Sequence, residues 1–251
     1  MANATAKPAI QIQPDQQALF RQAAQRVAVL LKQTLAQRPQ AFLALAGGST
    51  PRGLYQQLCQ LPTSQTPDWH QVQFFFGDER AVPPEHPESN YRMARETLFE
   101  PLGIAASQIH RIQGEAPPEQ ALADYRQRLQ ALPQQQGWPC FDLILLGMGD
   151  DGHIASLFPD SALLAETEHS VCSAELTERG RRYSLSLPVL NQARHLLLLV
   201  SGAGKAATVQ QALGTIPAQT PTLPVQQLHP QRLEWFLDQA AAQQLPGESV
   251  L

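Results

Sequence analysis

A histidine follows an aspartate by two residues in a glycine-rich segment, Gly147-Met-Gly-Asp-Asp-Gly-His153. A neutral imidazole can take a proton from water near neutral pH and return it to a leaving group. The carboxylate of Asp151 can orient that ring and stabilise its protonated form. The sequence therefore predicts His153 as a general base with Asp151 as its partner, the alternative being a structural histidine.

The remaining histidines and the cysteines lack such surroundings. We interpret six histidines as structural: His70, His86, His110, His169, His195 and His229. No HxH, HExxH or CxxC pattern occurs, so the sequence predicts no metal site, and it indicates no other cofactor. The three cysteines are widely spaced, which is typical of reduced thiols in a cytoplasmic protein: Cys59, Cys140 and Cys172.

A second chemical motif is Gly47-Gly48-Ser49-Thr50, which stands between an apolar run and a proline that suits the first turn of a helix. Free backbone N–H groups, two hydroxyls and a positive helix end make a phosphate cradle without a metal. Lys205, just behind Gly202-Ala-Gly204, and Arg182 can each add a positive charge. The alternatives are an ordinary strand-to-helix turn and two solvent-exposed cations.

Two acids and a base follow the second apolar run of the chain, in Gly77-Asp78-Glu79-Arg80. We count Asp78 and Arg80 among the candidate substrate-binding residues. The segment can instead form an ion pair that only braces its own loop, and composition does not decide between the two.

Two nucleotide-binding patterns are incomplete. The segment 147–152 matches GxGxxG, but it lies in the middle of the chain, and Pro159 follows where the dinucleotide motif needs a helix. The segment 201–205 resembles the end of a P-loop, but Leu199 and Ala206 replace a required glycine and hydroxyl residue. Neither pattern predicts a nucleotide site.

The elements that must position these residues alternate along the chain. Apolar runs predict strands at 42–46, 72–76, 141–146 and 196–200, and alternation of polar and apolar residues predicts one at 183–187. Helical spacing predicts helices at 15–38, 51–60, 90–99, 118–132, 188–193, 205–213 and 232–244. Proline- and glutamine-rich loops are expected at 62–67, 133–139 and 215–224. The pattern indicates an α/β fold in a single domain (1–251), with a mainly parallel, Rossmann-like sheet covered by helices on both faces.

Glycines follow the carboxyl ends of four of the predicted strands, at Gly47, Gly77, Gly147 and Gly202. Ligands of open α/β sheets bind in the crevice outside the carboxyl ends of the strands. We therefore expect the four loops, and the chemistry they carry, to converge at one edge of the sheet.

Composition limits the partners. The chain has 251 residues, with 18 Lys and Arg against 22 Asp and Glu, a net charge of −4 and no strongly basic stretch, which argues against a nucleic-acid partner. Its longest aliphatic run, 196–200, is far shorter than the ~20 residues of a membrane span, and the first residues lack the apolar core of a signal peptide. We expect a cytoplasmic protein with a small-molecule partner; the oligomeric state stays open.

Five segments together resemble the bacterial 6-phosphogluconolactonases, within the superfamily of glucosamine-6-phosphate deaminase and ribose-5-phosphate isomerase. They are LALAGGSTPRGLY (43–55), FFFGDERAVPPEHPESNYRMARETLF (74–99), FDLILLGMGDDGHIASLFP (141–159), RYSLSLPVLNQA (182–193) and VSGAGKAA (200–207). The resemblance implies the sugar-phosphate isomerase/deaminase-like fold and hydrolysis of a sugar-phosphate lactone without a metal. It implies that His153 activates water, that Asp151 orients it, and that Ser49, Thr50, Arg182 and Lys205 hold the phosphate.

The main alternative is a glucosamine-6-phosphate deaminase or a sugar-phosphate isomerase. The deaminase also has DGHIA, but it continues with an asparagine and a glutamate, and Phe158 stands here at the position of that acid. Ile154 replaces the threonine usual in lactonases, which is a departure toward the deaminase. A non-catalytic sugar-phosphate sensor is the third hypothesis. About 40 residues precede the first predicted strand, and we expect them to form one helix that is not basic, which disfavours it.

Overall fold

Eleven strands build the sheets of the protein, which is described by a computed structural model over residues 8–159, 161–176, 179–214, 222–228 and 233–246. They are β1 Ala9–Gln13, β2 Ala41–Leu45, β3 Val72–Phe76, β4 Asp78–Arg80, β5 Gln134–Gln135, β6 Trp138–Pro139, β7 Leu143–Gly147, β8 Val171–Leu176, β9 Gly180–Leu185, β10 Leu196–Val200 and β11 Leu233–Asp238. Six of them form one parallel sheet in the order β1-β11-β10-β7-β2-β3. The mainly parallel sheet predicted from the sequence is therefore confirmed.

Helices flank this sheet. The α-helices are α1 Gln16–Leu35, α2 Ser49–Gln60, α3 Asn90–Ala94, α4 Glu100–Leu102, α5 Pro118–Leu129, α6 Leu187–Asn191, α7 Ala206–Leu213 and α8 Gln239–Ala242. A π-helical segment, Arg95–Phe99, joins α3 to α4, and short 3₁₀ turns lie at Trp69–Gln71, Ala106–Gln108, Ala162–Ala165, Ala203–Lys205 and Pro224–Gln227. All five residues of β10 are buried, and because successive side chains point to opposite faces, both faces of this strand are covered. Among the described residues, no helix has the length and apolar character needed to cross a membrane.

A second, antiparallel sheet lies beside the first in the order β4-β9-β8. Its register pairs Arg80 with Arg182 and Asp78 with Ser184, which brings two segments of distant sequence to the same place. The sequence indicated only a strand at 183–187. Strands β4 and β8 were not predicted because β4 is polar and three residues long, and neither has an apolar run.

Two elements near the ends of the described chain differ from the sequence prediction. The helix predicted at 232–244 is wrong: 233–238 is the buried strand β11, only the short helix α8 follows, and Arg232 lies outside the described residues. Apolar residues of a short run fit helical spacing and a buried strand equally well, and pairing with β1 and β10 decides for the strand. Before the strand at 42–46 the sequence predicted a single helix and no strand. The structure has the edge strand β1, formed by the alternating residues Ala9–Gln13, ahead of that helix.

The three loops predicted from the sequence agree with the structure to different extents. The loop at 133–139 contains the two-residue hairpin strands β5 and β6, whereas 62–67 is a loop as predicted. Most of the predicted loop 215–224 lies outside the described residues.

Two tyrosines fix the carboxyl ends of neighbouring strands. The Tyr55 hydroxyl of α2 accepts the N–H of Ala46 at 2.9 Å and donates to the carbonyl of the same residue at 2.8 Å. Tyr125 of α5 does the same to Phe76, at 2.9 and 2.7 Å. Both hydroxyls are buried, so they satisfy backbone groups at the points where the chain leaves the sheet. The loops that begin at residues 47 and 77 therefore start from fixed positions.

Tyr55→Phe is expected to lower the free energy of unfolding by roughly 2–4 kcal/mol, because it leaves two buried backbone groups of Ala46 without their partner. The measurement is urea unfolding at constant m-value. Tyr183→Phe is the matched control: among the described residues its buried hydroxyl has no hydrogen-bond partner, so its removal should cost nothing. Equal losses in the two variants would contradict the strand-end role of Tyr55.

Candidate active site

The loops at the carboxyl edge of the parallel sheet enclose a cavity of about 330 Å³. Nine residues predicted from the sequence line it: Gly47, Gly48, Ser49, Thr50, Asp78, Arg80, His153, Arg182 and Lys205. Asp151 is bonded to His153. The structure thus brings together segments that the chain separates by up to 158 positions, counted from residue 47 to residue 205.

His153 and Asp151 form a bonded pair at one side of the cavity. The Nδ1 atom of His153 lies 2.5 Å from Oδ1 of Asp151, which also accepts the backbone N–H of His153 at 3.2 Å. An ionised carboxylate only accepts hydrogen bonds, so this contact assigns the ring proton to Nδ1. Nε2 is then the nitrogen that keeps its lone pair for proton transfer.

The electrostatics of the pair keep Asp151 ionised. Burial acts to raise the pKa of its carboxyl, but the hydrogen bond and charge of His153, with the Arg179 guanidinium, outweigh burial. The net pKa of Asp151 lies below its ordinary value. Asp151 is thus a carboxylate at neutral pH, as an acceptor from an imidazole N–H must be.

The close approach of the pair to Gly149 explains why this position is a glycine. A Cβ atom at 149 would overlap the His153 ring and Oδ1 of Asp151. The ring therefore packs directly on the backbone of its own loop. The loop is closed by the hydrogen bond from the Gly149 N–H to the carbonyl of His153, at 2.9 Å.

The N-terminus of α2 forms the opposite part of the cavity. Gly48 precedes the helix with φ of 101°, in the left-handed region that favours glycine, and this turn exposes the first helical N–H groups. The hydroxyl of Thr50 lies 3.0 Å from that of Ser201, which accepts from the Gln16 amide at 2.9 Å. These donors, with the positive helix end, suit a phosphate or another anion.

Lys205 lines the cavity from the loop that follows β10 and forms an ion pair with Asp150, which does not line it. Its Nζ lies 2.5 Å from Oδ1 of Asp150, whose side chain is 82% exposed. An exposed carboxylate is a weak competitor for a cation because water and salt screen the pair. An anion in the cradle can therefore recruit Lys205.

Arg80 and Arg182 are neighbours across strands β4 and β9, and both line the cavity. Burial and the nearby Arg80 guanidinium hold the pKa of Arg182 below its ordinary value. Two cations side by side are unfavourable without an anion, so this arrangement also favours a negatively charged ligand. Arg80 is partly held by its own loop, since its Nη1 donates to the carbonyl of Glu88.

The two acids beside Arg80 act as braces. Both carboxylate oxygens of Asp78 accept hydrogen bonds, from the Asn90 amide at 3.0 Å and from the Ser156 hydroxyl at 2.8 Å. Glu79 is buried and accepts from the backbone N–H groups of residues 80, 90 and 91 and from the Ser89 hydroxyl. Burial, opposed by those hydrogen bonds, leaves the pKa of Glu79 above its ordinary value.

Sequence reasoning missed four residues of the site. Asn90 is buried and fills the space where a side chain at Gly47 would stand. Ser156 braces Asp78, Ser201 bonds Thr50, and Arg179 contacts Asp151. No local pattern predicted them, because their partners are at least 12 residues away.

Among the described residues, no group of three or more histidine, cysteine, aspartate or glutamate side chains is arranged to hold a metal ion.

The family of glucosamine-6-phosphate isomerases and 6-phosphogluconolactonases matches residues 14–237. The chain belongs to this family.

Known relatives support the 6-phosphogluconolactonase side of that family. The chain is 36% identical over 245 residues to a 6-phosphogluconolactonase of Synechocystis sp., covering 95% of this chain and 98% of the relative. It is 39% identical over 191 residues to that of Treponema pallidum, covering 73% and 78%. The 6-phosphogluconolactonase of Trypanosoma brucei superposes with a TM-score of 0.85 at 29% identity, covering 96% and 99%. Homology therefore supports 6-phosphogluconolactonase, a hydrolase of the pentose phosphate pathway, as the enzyme class.

Phe158 is the residue that bears on the alternative activity. Its ring lies 4.2 Å from the ring of His153, centroid to centroid. A phenyl group cannot transfer a proton, whereas the resemblance places the glutamate of the deaminase at this position. The wall beside His153 is thus apolar here, which favours the lactonase.

Proposed function

We propose that this protein hydrolyses 6-phospho-D-glucono-1,5-lactone to 6-phospho-D-gluconate, the second step of the oxidative pentose phosphate pathway, with His153 as general base and without a metal. The observation that carries the proposal is the bonded pair of His153 and Asp151 facing a cavity whose other wall is an anion cradle. The cavity, at about 330 Å³, suits one small sugar phosphate.

In the proposed reaction, Nε2 of His153 takes a proton from water while the water oxygen attacks the lactone carbonyl carbon. The tetrahedral intermediate then collapses, the bond from that carbon to the ring oxygen breaks, and Nε2 returns its proton to the ring oxygen. Asp151 holds Nδ1–H and stabilises the imidazolium between the two steps. General acid–base catalysis of this kind typically contributes about 10²–10⁴-fold.

The phosphate of the substrate is proposed to bind at the end of the cavity that lies away from His153. The backbone of Gly47 and Gly48 and the donors of Ser49 and Thr50 form the cradle, and Lys205 and Arg182 supply charge. Arg80 is proposed to contact the sugar, with Asp78 shaping the wall beside it. Anchoring a remote phosphate places the reacting carbonyl against His153, which is how binding energy is used for orientation.

The proposed location is the cytoplasm. The three cysteines are free thiols, as is usual in a reducing compartment. The proposed partner is the small-molecule lactone.

Acid release by the wild type from freshly prepared 6-phosphogluconolactone, followed by pH-stat with EDTA present, tests the activity. Each turnover yields a carboxylic acid that loses a proton at neutral pH, so the rate of added base reports hydrolysis. We expect a rate clearly above spontaneous hydrolysis and insensitive to the chelator. A rate equal to the background would overturn the proposal, and ammonia release from glucosamine 6-phosphate would then establish the deaminase.

Lys205→Ala is expected to raise KM for the phosphorylated lactone about tenfold or more, because one charged contact to phosphate is lost. Its effect on non-phosphorylated gluconolactone should be much smaller. Lys32→Ala is the control, since it removes the same side chain from α1 outside the cavity, where Nζ donates to the carbonyl of Ser64. Equal losses on both lactones would show that Lys205 is not a phosphate ligand.

A further inference from the structure

Four side chains at the mouth of the cavity form a closed circuit of contacts, which we call the four-residue circuit: Asp151, His153, Phe158 and Arg179. His153 contacts Asp151 at 2.5 Å and the Phe158 ring at 4.2 Å between centroids. Arg179 contacts the same two partners: its Nη1 lies 3.4 Å from Oδ2 of Asp151, and its Cζ lies 4.3 Å from the centroid of Phe158. Each member therefore has two neighbours within the circuit.

The two oxygens of Asp151 have different partners. Oδ1 is bonded to His153 and Oδ2 to Arg179, so rotation of the carboxylate about its Cβ–Cγ bond would break both contacts. The Asp151 side chain is 36% exposed, and among the described residues Arg179 is the hydrogen-bond partner of its Oδ2. A carboxylate with a partner on each oxygen has less freedom to rotate, and Arg179 supplies the second of the two partners.

Phe158 provides a second contact between Arg179 and the His153 ring. A guanidinium near the centroid of a phenyl ring is attracted to it by the ring quadrupole, which favours this one placement of the side chain. The same ring limits how far the imidazole can tilt, because the two rings are in contact. Arg179 thus acts on the His153 ring through Asp151 and again through Phe158.

We propose that Arg179 is a positioning residue for His153, acting through Asp151 and Phe158, and not a ligand of the substrate phosphate. The inference rests on the proposed role of His153. The role of Arg179 is separate from that of Lys205 and Arg182, for which no hydrogen bond or ion pair with Asp151 and no cation–ring contact with Phe158 occurs among the described residues.

The test compares kcat and KM of Arg179→Ala, Arg179→Lys and the wild type on the phosphorylated lactone. Displacing a catalytic group by about 1 Å costs on the order of 10²-fold, so we expect kcat of Arg179→Ala to fall by roughly 10–10²-fold with KM nearly unchanged. Lysine retains a cation for Asp151 and should restore part of kcat. The control is Arg181→Ala, because Arg181 pairs with Glu175 at 3.2 Å and does not line the cavity.

Two further measurements separate positioning from phosphate binding. Calorimetric affinity for 6-phosphogluconate should be unchanged in Arg179→Ala, and ¹⁵N spectra of the His153 ring should lose the single Nδ1-protonated form expected in the wild type. In a double-mutant cycle with Phe158→Leu, the losses in kcat should be less than additive, since both changes release the same ring. Urea midpoints of all variants check that the fold is retained.

A raised KM with unchanged kcat, together with weaker product binding, would make Arg179 a phosphate ligand and overturn the inference. Unchanged kcat and KM would overturn it as well. The proposed function is judged separately, by the wild-type rate above background and its loss in His153→Ala. A lactonase with wild-type behaviour in Arg179→Ala therefore refutes the positioning role alone.

Discussion

His153→Ala is expected to lower kcat for the phosphorylated lactone by at least about 10²-fold, with little change in KM. The variant lacks the one group in the proposed mechanism that takes a proton from water and returns it to the ring oxygen. The fold should be retained, because the His153 side chain is 28% exposed and its neighbours Asp151 and Phe158 stay in place.

Initial rates of acid release, corrected for spontaneous hydrolysis, measure this effect, and urea unfolding verifies the fold. His70→Ala is the matched control, since it makes the same chemical change outside the cavity. Near-normal turnover of His153→Ala would remove this residue from the mechanism. The proposed chemistry would then need another base, although homology would still support the enzyme class.

Gly149→Ala is the second substitution with a large expected effect. Its methyl group would overlap the His153 ring and Oδ1 of Asp151, so the pair must move although every catalytic side chain is present. We expect kcat to fall on the order of 10²-fold, because Nε2 is no longer held at the distance from the attacking water that proton transfer needs.

Gly147→Ala, two residues earlier at the end of β7, is the control, because its added methyl group meets nothing within 4 Å. The two variants are compared by kcat, by KM and by the ¹⁵N signals of the His153 ring. A Gly149→Ala enzyme with normal kcat would show that the loop relaxes without cost, and that the fit of the ring against Gly149 does not matter for catalysis.

The parallel sheet could be predicted from the sequence because its strands are continuous apolar runs. Strands 72–76 and 196–200 were predicted with the boundaries observed, and 42–46 is shifted by one residue. The antiparallel sheet could not be predicted in full, because β4 consists of Asp, Glu and Arg, whose strand conformation comes from pairing with β9. The prediction of a helix at 232–244 was wrong for a related reason, since pairing with β1 and β10 on its two sides makes 233–238 a strand.

The site could be predicted from the sequence where its reactive residues are close together in the chain and form a local motif. His153 with Asp151, and the glycines and hydroxyls before α2, are adjacent in sequence, so their roles could be proposed before their positions were known. Asn90 and Arg179 have partners at least 12 residues away, and only the fold brings those partners to them. Sequence also left open whether Asp78 and Glu79 contact substrate or brace the loop around Arg80, and the structure adds the hydrogen bonds that Ser89 and Ser156 donate to them.

The position of β1 at the edge of the sheet has a consequence for the order in which the protein can fold. Residue 9 pairs with residue 234, and β1 has β11 as its one neighbour in the sheet of the described residues, so this strand cannot add until residues 233–238 have been synthesised. The helix that follows β1 begins with Gln16, which bonds Ser201 beside the cradle residue Thr50. Pairings this distant in sequence form slowly. Activity in a refolding experiment should therefore return with the last strand, after most of the helical signal has recovered.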